Sequence, residues 1–213
     1  MADALTVLTW LWGTKYSTDY VTKLASGLMR NLKQPHRFLP IFVDKDDPLI
    51  AVRGCFVRLR MFDPKWQRDN GISGRVICLD LDLVITGKLD QIFDRWESFV
   101  ILQGANSSNP CPFNGSVVMF RTGYHTNLWT DFSLKAAEHI KCFSFPDDQG
   151  WYWHKLPDAA GWKVGPSSGI YAYRKPGWPQ GDHLPPDARM VCFPGKADPK
   201  HLAFMPWMQH HWR

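Results

Sequence analysis

A single α/β domain, with a central mixed sheet flanked by helices, is the fold this sequence predicts, and three observations predict it. Its 213 residues suffice for one substantial core and are too few to require two domains. Apolar, β-prone runs alternate in the first half with a stretch of helical period. The run Val76-Ile77-Cys78-Leu79 then leads straight into Asp80 and Asp82. That is the pattern of a buried strand delivering acids at its end, where an open α/β sheet holds its active site.

The elements follow in order. Residues 5–11 read as a first strand ending at a turn that begins with Gly13. Residues 18–32 place Tyr20, Leu24, Leu28 and Leu32 on one helical stripe, with Ser17 or Thr18 as cap and Pro35 as stop. Residues 37–43 make a second strand that closes on Asp44, with Asp46 and Asp47 in the loop beyond it. Residues 56–62 are a short helical segment carrying Arg58, whose guanidinium suits a phosphate, the Asp pair or a surface salt bridge. The central strand starts at Arg75, Gly87 turns the chain into a short helix over 89–93, and residues 99–102 form another strand.

A polar loop over 106–112 leads into a strand at 113–120. Its opening Asn114-Gly115-Ser116 predicts backbone in close approach to a ligand, or a simple turn. Residues 127–140 have helical spacing, and 145–151 read as a loop bearing Asp147, Asp148 and Gln149. Beyond Gly161 the chain is rich in Pro, Gly and Trp, with an edge strand at 189–193. Lys196 and its neighbours beside Gly195 suit a phosphate or a merely basic tail. Residues 204–213 are aromatic and basic, fit for a membrane interface or for docking on the protein's own surface.

Side chains alternate along extended backbone, so Asp80 and Asp82, two apart, would face one side and Leu79 and Leu81 the other. Two carboxylates on one side repel each other unless a cation sits near them, and oxygen ligands select Mg²⁺ or Mn²⁺. The natural work of such an ion is to neutralise a diphosphate. Acids that merely end a strand and solvate a turn are the simpler reading.

Composition narrows the class further. With 45% apolar and 21% charged residues the chain reads as folded rather than disordered. Eleven Trp and thirteen Phe supply flat surfaces for packing, sugars or bases. A formal charge of +5 suits an anionic partner, a nucleotide, an acidic glycan or a membrane surface. The lack of a dense basic run speaks against nucleic acid. Cys55, Cys78, Cys111, Cys142 and Cys192 are odd in number and form no C-x-x-C pair, which argues against a disulfide framework and a zinc site and for reduced cytosol. The N-terminal residues show no export signal, and no window reaches a membrane-spanning apolar length.

Five motifs occur in a set order. Trp12-Gly13-Thr14-Lys15-Tyr16 follows the first strand, and Val57-Arg58-Leu59 with Phe62 precedes the central one. Asp80-Leu81-Asp82 comes next, with Leu89-Asp90-Gln91-Ile92-Phe93 behind it. Asn114-Gly115-Ser116-Val117-Val118-Met119 and Asp148-Gln149 complete the set. A lone D-x-D is weak; in this order the set resembles, over most of the chain, the nucleotide-sugar glycosyltransferases of the A-type (GT-A) fold. The resemblance is to the glycogenin-like group and related bacterial enzymes.

The resemblance implies one Rossmann-like GT-A domain, with a nucleotide-binding half over 1–86 and a sugar- and acceptor-binding half over 87–213. It implies Mn²⁺ or Mg²⁺ on Asp80 and Asp82, with Asp80 also near the ribose and Leu81 in the donor site. Arg58 would hold the phosphates, with Lys196, Lys200 or His201 as a substitute at the C-terminal arm. Asn114, Ser116, Asp148 and Gln149 would meet the transferred sugar, with Asn114, Asp148 and Gln149 the catalytic candidates. Thr9, Gly13, Tyr16 and Asp44 would line the nucleotide pocket. The donor it implies is a nucleoside-diphosphate-sugar, foremost a UDP-sugar. The acceptor is a glycan or lipid-linked glycan in bacterial surface-glycan synthesis, at the cytoplasmic side of the membrane with peripheral contact to it.

The chain departs from the family at its C-terminal metal arm. A His near a Gly, followed by Lys-Pro, is usual there; this sequence has Cys192 and Pro194 where the His would fall and Asp198 in place of the Lys. Two other classes compete. An apolar strand ending in Asp80-x-Asp82 also resembles the haloacid-dehalogenase-like phosphatases, which expect a later strand ending in Asp-Asp. A glycan- or nucleotide-binding module that keeps the fold without turnover is the third reading.

Overall fold

The computed structural model describes residues 4–105, 111–140 and 144–213. Strands β1 (Leu5–Leu11), β2 (His36–Phe42) and β3 (Arg75–Leu79) form where the apolar runs place them, with helix α1 (Thr18–Asn31) between the first two. A 3₁₀ helix over Phe56–Phe62 and a short α2 (Pro64–Asp69) precede β3. Next come β4 (Leu83–Ile85), α3 (Asp90–Phe93), β5 (Phe99–Gln103) and β6 (Phe113–Arg121). The second half adds α4 (Asn127–Thr130), α5 (Leu134–Ala137), α6 (Asp148–Lys155), β7 (Ala160–Lys163), β8 (Ile170–Ala172) and β9 (Met190–Cys192). A second 3₁₀ helix at Pro199–Leu202 and α7 (Pro206–His211) close the chain.

Six strands make the main sheet in the order β2-β1-β3-β6-β5-β7. All neighbours are parallel except β6, which is antiparallel to both β3 and β5. Burial on both faces follows from strand alternation. Val7, Ile77, Leu79, Val100 and Met119 pack toward α1 and the smaller sheet β4-β9-β8. Leu8, Val76, Cys78, Ile101 and Phe120 face the first 3₁₀ helix and α6. One register break matters for function: Ile101 pairs with Val118 but Leu102 with Asn114, so residues 115–117 bulge from β6 at the end that meets the tip of β3.

Several segments differ from their sequence-based expectation. Extended backbone does not carry through Asp82: β3 ends at Leu79, a turn takes residues 81–82, and β4 belongs to the other sheet. Residues 127–140 are two short helices, because the Ser133 side chain accepts the Ala136 N–H and restarts the helix as α5. The segment 145–151 is not wholly loop, since Asp147 caps α6 by accepting the Gly150 N–H and Asp148 opens its first turn. The strand expected at an edge, β9, is the middle strand of the smaller sheet. Of the polar loop at 106–112, residues 106–110 lie outside the described residues.

Free thiols stand at Cys55, Cys78 and Cys192, but Cys111 is disulfide-bonded, against the reading of reduced cysteines. Spacing along the chain carries no information on which cysteines the fold brings within bonding distance. Cys142 lies outside the described residues. The aromatic C-terminus docks in part on the protein itself, with Met205, Met208 and Trp212 in the core and Trp212 edge-on to Tyr20 at 5.2 Å. Phe204 stays 71% exposed. Among the described residues no helix is long and apolar enough to cross a membrane.

Phe120 is fully buried, with its ring centroid 4.5 Å from that of Phe62. Phe120→Ala is expected to cost about 3–5 kcal/mol, read from urea unfolding. A loss under 1 kcal/mol would mean that this side of the sheet is not packed as described.

Candidate active site

The reversal of β6 builds the site. Because it runs antiparallel beside β3, its first residues lie next to the last of β3, with Leu79 opposite Val117 and the Asp80 N–H donating to Ser116 O at 3.0 Å. Asp80 and Asp82, read as strand residues, therefore sit in the turn beyond β3, beside Asn114, Gly115 and Ser116. The segment after β9 adds Pro194, Gly195 and Lys196 to the same opening. Together these line a cavity of about 650 Å³. A narrower one of about 280 Å³ opens beside it, walled by Trp10, Trp12, Tyr16 and Leu81, and Asp80 and Asp82 border both.

Arg58 is the buried centre of this arrangement. Gly54, at φ 124°, and Cys55, at φ 60°, turn the chain sharply into the 3₁₀ helix that carries it. A Cβ on Gly54 would fall 2.5 Å from Pro146 O, so only glycine allows that turn to pack against the start of α6. The Arg58 Nε donates to Asp148 Oδ2 at 2.8 Å, Nη2 donates to the same oxygen, and Nη1 donates to Asp80 Oδ1 and to Gly115 O at 3.0 Å. Of the partners expected for it, this guanidinium meets the Asp pair at Asp80, and it adds Asp148 and a carbonyl while lining both cavities. Gly115 is required by the same contact, because a Cβ there would lie 2.3 Å from Arg58 Nη2. The close approach predicted for Asn114-Gly115-Ser116 is real, but Arg58 makes it.

Burial raises the Asp148 carboxyl to about 7, against the opposing pull of Arg58. Asp148 has one oxygen shared by two guanidinium N–H groups, so it serves as a charge partner of Arg58. Gln149 bridges backbone and acid: its Oε1 accepts the Gly115 N–H at 3.1 Å and its Nε2 donates to Asp147 Oδ2 at 2.9 Å. Asn114 Oδ1 accepts the Ser116 N–H at 3.0 Å, holding the bulge, and both residues line the larger cavity.

At the Asp pair, Tyr16 donates its hydroxyl to Asp82 Oδ2 at 2.5 Å, and Lys15 Nζ lies 3.8 Å from that oxygen. Burial and then the charge of Asp80 push the Asp82 carboxyl up to about 6. The same surroundings push the Tyr16 hydroxyl well above its ordinary value, so it remains a donor. No group of three or more His, Cys, Asp or Glu able to hold a metal occurs among the described residues. The pair nevertheless fits a hard ion, because Mg²⁺ and its like are commonly held by one or two carboxylates with substrate phosphates completing the shell. Asp80 uses only Oδ1 on Arg58, and its other oxygen has no partner among the described residues.

Two side chains of the C-terminal arm, Cys192 and Asp198, are turned into the protein's interior. Cys192 is fully buried, with its S–H donating to Tyr171 O at 3.3 Å. Asp198 is turned inward onto the Tyr20 hydroxyl at 2.5 Å. Lys196 alone of this arm's polar side chains lines the larger cavity.

Three residues expected in the nucleotide pocket lie elsewhere. Thr9 is buried in β1, where its hydroxyl donates to Leu79 O at 2.9 Å and ties down the tip of β3. Gly13 and Asp44 are exposed turn residues that border neither cavity, and Asp44 accepts the Asp46 N–H. Sequence reading did not single out Trp10, Arg53, Cys55, Phe145 or Phe193, all on the cavity walls. The only local signal was Arg53-Gly54-Cys55 just ahead of Arg58. Asp147 and Asp148 begin a helix rather than end a strand, so the phosphatase reading loses the second motif it requires.

Neither a protein-family model nor a curated protein sequence matches the chain. Solved structures do. A glycosyltransferase involved in glycosylation of the major capsid of PBCV-1 is 15% identical, covers 97% of this chain and 98% of its own, and superposes with a TM-score of 0.64. GlyE of Streptococcus pneumoniae TIGR4 is 13% identical over 98% of this chain and 62% of its own, at 0.63. The chain has the GT-A glycosyltransferase fold. The galactosyltransferase LgtC, solved in complex with donor and acceptor sugar analogs, is 11% identical, covers 91% of this chain and 88% of its own, and has a TM-score of 0.58. At such identities it is the GT-A fold that is shared, and the site must be read from this chain's own residues.

Arg58→Met strips Asp148 and Asp80 of their cation and is expected to cost about 3–5 kcal/mol at pH 8. The Asp148 pKa is already raised in the folded state, so its charge costs stability above about pH 7 and costs little once protonated. The loss should therefore shrink at pH 5; equal losses in urea unfolding at both pH values would refute the pairing. Asp82→Asn removes a carboxylate whose raised pKa of about 6 costs stability above that pH. Ligand-free Asp82→Asn should be more stable than wild type by about 1 kcal/mol at pH 8. The gain should fade toward pH 4, as melting curves across that range will show.

Proposed function

We propose that this protein is a metal-dependent glycosyltransferase that moves a sugar from a nucleoside-diphosphate-sugar, foremost a UDP-sugar, to a glycan or lipid-linked glycan acceptor in bacterial surface-glycan assembly. The observation that carries the reading is the meeting of two unlike cavities at one acid pair. An aromatic slot of base size and a larger charged chamber share Asp80 and Asp82, and the fold around them is that of known glycosyltransferases.

Trp12 and Tyr16 offer faces for a base in the narrow slot. Asp80 and Asp82 would hold Mn²⁺ or Mg²⁺ against the diphosphate. When bound, such an ion offsets the negative charge gained by the departing nucleoside diphosphate. Lys15 would orient the phosphates and Arg58 positions Asp80, while Lys196 stands where the chamber meets the neighbouring cavity. Asn114, Ser116 and Gln149 line the part of the chamber where the sugar would sit. In the transfer, an acceptor hydroxyl oxygen bonds to the anomeric carbon, that carbon's bond to the diphosphate oxygen breaks, and the hydroxyl proton leaves to solvent or a carboxylate. The nucleotide is assigned to residues 1–86 and the sugar to residues 87–213, with the Pro194–Lys196 segment shared. Free Cys55, Cys78 and Cys192 support a cytoplasmic place at the inner membrane face, and the Cys111 disulfide counts against it.

The inward turn of Cys192 and Asp198 favours one further reading, a binding module with this fold but without turnover. Thermal shift with UDP, GDP and CDP, each with and without Mn²⁺, tests the donor site. UDP with Mn²⁺ at 100 times its Kd should add about 2.7 kcal/mol, raising Tm by about 5 °C or more, and Asp82→Asn should abolish the rise. No shift with any nucleotide at millimolar concentration would overturn the donor site. Binding without hydrolysis or transfer of the donor would leave the module.

A further inference from the structure

A separate cavity of about 340 Å³ shares Pro194 and Lys196 with the larger chamber. Strand direction creates it. β8 and β9 run parallel with Ala172 opposite Cys192, so the residues that follow each strand emerge side by side at one end. Tyr173, Arg174 and Lys175 leave β8 there, and Pro194 to Lys196 leave β9. The second 3₁₀ helix adds His201.

The charges that face this cavity are unbalanced. Arg174 is neutralised by Asp182, with Nη2 at 2.7 Å and Nε at 2.9 Å from Oδ1. Asp198 is the one acid on its wall, and it is buried and saturated. Its Oδ1 accepts the Tyr20 hydroxyl and the Lys200 N–H, and Lys200 Nζ lies 3.7 Å from Oδ2. Lys175 and Lys196 have no acid within ion-pair distance among the described residues. Two ammonium groups lining one cavity, neither with a counter-ion, attract an anion with several acceptor oxygens, which a phosphate supplies. Gly195 between the walls has φ 78°, and no atom lies within 4 Å of where its Cβ would be, so the space beside it, next to Lys196, is open.

We propose that the acceptor carries a phosphate group, held by Lys175 and Lys196 beside the transfer site. The inference rests on the donor site proposed above for its meaning as acceptor recognition. The anion-binding cavity itself stands on its own residues. A phosphate monoester on a soluble glycan and the diphosphate of a lipid-linked one share this chemistry.

The test uses the full chain saturated with UDP and Mn²⁺ and titrated by calorimetry with glucose 1-phosphate, methyl α-glucoside and farnesyl diphosphate. Glucose 1-phosphate should bind the loaded protein, weaken in 0.5 M NaCl, and lose about tenfold or more in affinity in Lys175→Glu. Methyl α-glucoside should bind about tenfold more weakly than the phosphate. Tighter binding of farnesyl diphosphate than of glucose 1-phosphate would name the lipid-linked source, and the reverse order the soluble one. Undiminished phosphate binding in a folded Lys175→Glu, or a neutral glucoside bound as well as its phosphate, overturns the proposal. If UDP itself fails to bind, the donor reading falls instead. The same titrations on unloaded protein, wild type against Lys175→Glu, then still decide the cavity.

Discussion

One buried guanidinium holds the centre of this molecule together. Arg58 lies under the active cavity between Asp148, Asp80 and the carbonyl of Gly115, and these belong to α6, the tip of β3 and the bulge of β6. A charge taken out of water must be paired with good geometry or it unfolds its surroundings. Four segments far apart in sequence therefore have one relative placement that satisfies it. The glycines at 54 and 115 are consequences of that placement, since neither the turn nor the bulge leaves room for a Cβ.

The second constraint is strand direction. A fully parallel sheet would carry the residues before β6 to the far end of the domain. The antiparallel β6 brings Asn114 to Ser116 to the tip of β3 instead, and the bulge at 115–117 turns them toward Asp80. In the smaller sheet the parallel pair β8 and β9 does the converse, sending two basic segments out at one end. Pattern and direction survive large sequence change, because a core needs apolar residues of suitable volume at alternate positions rather than particular ones. Structures only 11–15% identical accordingly share this fold over nearly the whole chain.

Charge around the cavity is arranged in layers. Asp80 and Asp82 face the opening, and Arg58 and Tyr16 hold them from behind and from the side. Burial, and after it the charge of Asp80, raises the Asp82 carboxyl in the ligand-free protein. The C-terminal arm buries a thiol and a carboxylate in the protein's own interior and leaves Lys196 at the opening.

By itself the sequence determined what repeats locally. The apolar runs placed β1, β2, β3, β5 and β6, the four-residue stripe placed α1, and the order of motifs around Asp80-x-Asp82 identified the fold and most of the cavity wall. Periodicity reports burial, and burial alone is what these elements needed. It could not report partners. That Arg58 would hold Asp148, that Thr9 would tie to Leu79, and that Gly13 and Asp44 would lie outside both cavities were decided by how segments tens of residues apart come together. Cys111 in a disulfide and the two lysines converging after β8 and β9 are of the same kind. Hydrogen bonds and ion pairs act over about 3 Å, and only the folded chain sets which groups come that close.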